Sequence, residues 1–146
     1  MKTAPALRDS WINPRFTLAS LWVSMLFVFA YVDIFSLYRA DIRADLDAGE
    51  MAGATVGQGF LVGVTAYIVP ASLMVFLTLV LRARLARWLN IVMAVLYGLT
   101  VMVSAFDDWT YFVIGSAIEA LLLAGIVYTA WTWPHEQATA PGRANE

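Results

Sequence analysis

Residues 59–88 read GFLVGVTAYIVPASLMVFLTLVLRARLARW, and this stretch decides the fold. From Gly59 to Leu81 no side chain is charged; then Arg82, Arg84 and Arg87 arrive together in a short RARLAR turn. A helical run of about 22 residues is roughly 33 Å long, enough to cross a hydrocarbon core of about 30 Å. Lipid offers no partner to backbone N–H and C=O groups, so such a run crosses as a continuous helix. Three similar runs flank it, at Thr17–Tyr38, Trp88–Phe106 and Thr110–Trp133. The expected fold is therefore all-α: a four-helix transmembrane bundle, up-down-up-down, filling residues 17–134. Residues 1–16 form a polar lead-in interrupted by Pro5 and Pro14, and residues 135–146 form a small, polar tail expected to be disordered. The first run is too long for the apolar region of a signal peptide, and no small-residue cleavage site follows it.

The composition agrees. With 61% hydrophobic and 14% charged residues, the chain holds more apolar surface than one soluble core of this size can hide. The net charge of -2 argues against nucleic acid as a partner. The absence of cysteine removes thiol nucleophiles and thiolate metal sites, and His135, the only histidine, lies in the tail. No metal, cofactor or catalytic residue is assigned. The chain carries no H-E-x-x-H, G-x-S-x-G, phosphate-loop or dinucleotide motif, and an enzyme is the least supported reading. No internal repeat supports an inverted-repeat transporter.

Cations set the orientation. Lys2, Arg8, Arg15, Arg82, Arg84, Arg87 and Arg143 fall on one side of a four-span topology, and only Arg39 and Arg43 on the other. The positive-inside rule places both termini in the cytoplasm of an inner (plasma) membrane protein. Trp11, Trp88, Trp131 and Trp133 then map to the inner interface, and Trp109, Tyr38 and Tyr111 to the outer one, where amphipathic rings are favoured. In the outer loop, ADIRADLDAGEMAGA spaces Ile42, Leu46 and Glu50 at helical intervals. Two readings stand for it: a short surface helix ended near Gly49 or Gly53, or a plain linker.

Asp33 and Glu119 are the two acids at membrane depth. An ionised carboxyl there costs about 2.5–3.5 kcal/mol on insertion scales. Counted from the outer span ends at 1.5 Å per residue, Asp33 is roughly 8 Å deep and Glu119 roughly 13 Å. Tyr67 and Tyr97 fall near the same level. No Lys, Arg or His lies within the spans to neutralise the acids, and desolvation penalises their charged forms. Asp33, Glu119, Tyr67 and Tyr97 are accordingly the candidate ligand or proton pocket, set against a structural alternative in which the acids are neutral hydrogen-bonding glue between helices. Pro70 is expected to kink the second span and free the carbonyl of Ala66. Gly59 and Gly63 form a G-x-x-x-G that permits close helix contact. Asn90 is expected to tie helices together.

The ordered set Leu21-Trp22, Tyr31-Val32-Asp33, Leu37-Tyr38, Pro70, Leu73-Met74-Val75, Arg87-Trp88-Leu89-Asn90, Trp109, Tyr111, Glu119, Tyr128, Trp131 and Trp133-Pro134 resembles an uncharacterised bacterial family of small four-helix integral membrane proteins, a domain of unknown function. That family is loosely similar in architecture to DoxX-like proteins. The resemblance implies the four-helix membrane fold and no activity. Two functions compete: a small-solute or proton-coupled membrane protein with a polar pocket in the outer half, and an accessory or scaffold subunit of a larger membrane complex. The lipid bilayer is the partner common to both. Four short helices make a narrow bundle, so a solute pathway calls for a homo-oligomer.

Overall fold

The computed structural model describes residues 13–105 and 109–134; Trp11, His135, Arg143 and the expected disordered tail lie outside them. Four long helices, α1 (Pro14–Ser36), α3 (Gln58–Val80), α4 (Ala83–Ser104) and α5 (Thr110–Trp131), are each long and apolar enough to cross a membrane. The chain is a multi-pass membrane protein. Between α1 and α3 lie a short helix, α2 (Ala40–Asp47), and a two-stranded hairpin of β1 (Glu50–Met51) and β2 (Ala54–Thr55).

Each long helix buries one stripe at three- and four-residue spacing, the interval that keeps one face toward a neighbour. The stripes are Leu18, Trp22, Met25 and Val32 on α1; Ala71, Met74 and Thr78 on α3; Ala86, Asn90, Ala94, Tyr97 and Val101 on α4; and Gly115, Glu119, Leu123, Ile126 and Ala130 on α5. Helix α1 packs on α5 and α3, and α5 packs on α4. Neighbours run antiparallel, since Tyr67 pairs with Thr100 near one end and Thr78 with Asn90 near the other.

Two helix starts lie earlier than the apolar runs alone indicate. α1 begins at Pro14, whose missing N–H costs nothing in the first turn, and the Asn13 side chain accepts the Arg15 amide at 3.0 Å. The RARLAR segment is helical from Ala83, because Arg, Ala and Leu are strong helix formers. In the long loop, Ile42 and Leu46 are half-buried on α2, whereas Glu50 leaves the helical pattern and begins the hairpin. Gly49, at φ 78°, follows the end of α2, and Ala52 (φ 50°) with Gly53 (φ 75°) makes the two-residue turn between the strands.

The arginine end is tied by two caps. Arg15 donates to the carbonyls of Thr78 (3.0 Å) and Leu79 (2.9 Å) at the end of α3 and stacks on Trp133. Arg87 donates to the Trp131 carbonyl at the end of α5 from between the Trp88 and Trp131 rings. Both satisfy terminal carbonyls while setting a cation at the negative end of a helix dipole.

Candidate functional site

The four residues expected to form a pocket fall into two pairs. Tyr67 and Tyr97 stack with ring centroids 4.9 Å apart. The Tyr67 hydroxyl shares a 2.6 Å hydrogen bond with Thr100 Oγ1, and Phe29 lies against the same ring. The Tyr97 hydroxyl donates to the Tyr67 carbonyl and meets the Ala71 amide. It is thus inserted into the backbone ladder of α3 beside Pro70. The expected kink position is therefore occupied, with the partner serving the carbonyl of Tyr67 rather than that of Ala66. A small apolar hollow lined by Met25, Phe29, Tyr67, Ala71 and Tyr97 lies alongside.

The acids form the second pair. Glu119, on the inward stripe of α5, is 3% exposed, and its carboxyl makes no hydrogen bond among the described residues. Ser116, three residues earlier on the same face, is 4% exposed and its hydroxyl likewise has no hydrogen-bond partner among them. Asp33 projects from the exposed side of α1, close enough to Glu119 for their charges to interact. The spacing between α1 and α5 is set by Gly115, where an added Cβ would lie 2.3 Å from Val32 Cγ2. Val32 precedes Asp33, and Gly115 precedes Ser116. A single helix crossing therefore positions two carboxyls and a hydroxyl without a cation, an arrangement suited to binding a proton or a small cationic group. Among the described residues no group of three or more His, Cys, Asp or Glu is placed to hold a metal ion.

Gly59 and Gly63 face open space, with nothing within 4 Å of a Cβ built on either; the close contact their spacing permits is not made within this chain. Gly115 makes it instead. Ser116 was not among the residues the sequence pointed to, although its place one turn before Glu119 carries the signal. Asn90 does tie helices together: its Oδ1 accepts from Trp22 Nε1 at 2.7 Å, its Nδ2 donates to the Ala86 carbonyl at 2.8 Å, and it meets the Thr78 hydroxyl at about 3.0 Å. At the long-loop end, Ser36 and Tyr111 join α1 to α5 through a 2.8 Å hydrogen bond, and Arg39 lies over the Trp109 ring while paired with Asp41.

Neither curated proteins nor solved structures yield a match to the chain. A protein-family model does match, over residues 9–140, and its description is "Family of unknown function (DUF6326)". That match covers most of the sequence and agrees with the resemblance drawn from its ordered aromatic and acidic residues, so the chain belongs to the DUF6326 family.

Proposed function

We propose that this protein is a small-solute or proton-coupled membrane protein of the inner membrane, with both termini cytoplasmic and its working centre at Glu119, Ser116 and Asp33. One observation carries the reading: Glu119 is 3% exposed on the inward stripe of α5, and its carboxyl holds no hydrogen-bond partner among the described residues. Acids inside a membrane protein are normally paired, and one left unpaired but reachable is placed to take a proton or ligand. Asp33, on the exposed side of α1 at the same crossing, supplies a second carboxyl from which a proton or cation passes to Glu119. Ser116 offers an oxygen that both donates and accepts.

The test is proton flux into vesicles holding the purified protein and a trapped pH-sensitive dye, driven by an imposed potential. Glu119→Gln keeps the shape of the side chain and removes its titrating group; Asp33→Asn does the same at the other acid. The reading expects both variants to fold and both to lose most of the flux. Flux that persists in folded Glu119→Gln protein refutes it.

A specific observation favours the alternative of an accessory subunit. Helix α3 buries no residue between Gln58 and Pro70, although this half is uncharged and exposes Leu61, Val62, Val64 and Val69. A partner helix would cover it. Stoichiometric co-purification with a larger membrane assembly in mild detergent supports that reading.

A further inference from the structure

A shallow groove of about 250 Å³ runs between α4 and α5, with Val95, Gly98 and Met102 on one wall and Ala120, Ala124 and Val127 on the other. Helical geometry fixes what stands at its end. Arg84 and Met102 lie five turns apart on the same side of α4, and Val95 falls between them on that stripe. On α5 the stripe through Ala120, Ala124 and Val127 continues to Trp131 at the same spacing. The groove therefore leads to Arg84, Trp88, Arg87 and Trp131. There Arg87 is held against Trp131, while Arg82 and Arg84 are exposed and make no ion pair among the described residues. The first turn of α4 also lacks a side-chain cap, so its amides add partial positive charge at the same place.

We infer that the α4–α5 groove and the arginines at its end bind an anionic phospholipid, whose phosphate sits between Arg84 and Arg87 and whose acyl chain enters the groove past Val127. Two features converge on this occupant. Two cations, Arg84 and Arg87, meet an anionic headgroup at the membrane boundary, where Lys and Arg clusters recognise such lipids. An apolar slot begins one helical turn inside Trp131, at the depth of acyl chains and not of headgroups. The site lies along the adjoining face of α5, toward α4, and does not depend on the acid pair.

Purified protein in mild detergent, mixed with equal amounts of phosphatidylglycerol and phosphatidylcholine, is read by native mass spectrometry for retained lipid. Phosphatidylglycerol is expected to be retained in preference, with Arg84→Gln lowering its affinity by about fivefold, as for loss of one charge near a membrane surface. Ala124→Leu, at an exposed groove position, and Gly98→Leu, where nothing lies within 4 Å of an added Cβ, both fill the slot without touching charge and are expected to lower retention as well. Equal retention of the two lipids overturns the inference. So does a preference that responds to Arg84→Gln but not to either groove variant, since that describes surface attraction alone. Displacement of the lipid by millimolar inorganic phosphate overturns it too, because a free anion would then satisfy the site.

Discussion

Replacing Gly115 by Ala sets a methyl group against α1 where there is no room for one. The new carbon would lie 2.3 Å from Val32 Cγ2 and 3.6 Å from Val32 Cβ and Cγ1. Carbon atoms prefer about 3.5–4.0 Å, so the helices must part locally by about 1 Å. Val32 cannot swing aside cheaply, because a β-branched residue in a helix is held mostly to one χ1 rotamer. Overpacking of this kind costs about 1–3 kcal/mol, against which Ala gains about 1 kcal/mol over Gly in helix propensity. The expected net loss is about 0–2 kcal/mol, measured by reversible unfolding in mixed micelles with tryptophan fluorescence. Val32→Ala removes the clashing methyl, so the double variant is expected to recover most of that loss, giving a coupling energy of about 1–2 kcal/mol. Since Asp33 and Ser116 adjoin these two residues, proton flux is expected to fall in Gly115→Ala and return in the double variant. Effects that add within about 0.5 kcal/mol, the tolerance for independent sites, would refute the reasoning, as would a Gly115→Ala protein more stable than the parent.

Two further outcomes follow from the ends of the bundle. Asn90, Trp22 and Thr78 are fully buried and bonded to one another; a double-mutant cycle of Asn90→Ala with Trp22→Phe, which drops the indole N–H, should therefore return about 0.6–1.7 kcal/mol of coupling, the range of interhelical hydrogen bonds in membranes, and simple additivity would contradict the network. In the long loop, hydrogen bonds from Arg39 at 3.2 and 2.6 Å hold the exposed Asp41 carboxyl below its usual value of 3.8. A depressed folded-state value means the contribution is present above the unfolded pKa and is lost as pH falls through the folded one; NMR titration should find Asp41 below 3.8, with Arg39→Gln raising it toward that value.

The spans were legible because lipid leaves so few choices. A charge-free run from Gly59 to Leu81 closed by three arginines has essentially one structure in a membrane. Relative height along the bundle was legible too: counting residues sets Tyr67 near the level of Tyr97, and the two rings stack. Rotation was not. Whether a side chain faces a neighbour depends on which helix packs beside it, and the long apolar helices carry no polar stripe to reveal that face. So Glu119 lies inside and Asp33 outside, although both are lone acids in apolar runs. Gly59 and Gly63 have the motif yet face open space, while Gly115, with no partner glycine four residues away, carries the tight approach. The hairpin escaped notice because its strands are two residues each, too short for a period-two pattern to register.

The two halves of the bundle use their polar groups differently. At the arginine end, Asn90 uses its oxygen and both amide hydrogens, Trp22 and Thr78 are bonded to it, and Arg15 and Arg87 close the carbonyl ends of α3 and α5. Arg87 Nε, buried without a hydrogen-bond partner, sits between two indole rings. This is what interhelical polar glue looks like in this molecule: neutral or cationic groups that bond across helices, with Arg87 Nε facing the indole rings instead. Glu119 and Ser116, 3% and 4% exposed, have no such partners among the described residues. If Glu119 were glue, its protonated carboxyl would donate to an acceptor on α1 or α4, as Tyr97 does to α3; no hydrogen bond of this kind is made among the described residues. Under the proposed function Glu119 is the group that receives a proton, so the decisive measurement is proton flux through Glu119 rather than the stability of its variant.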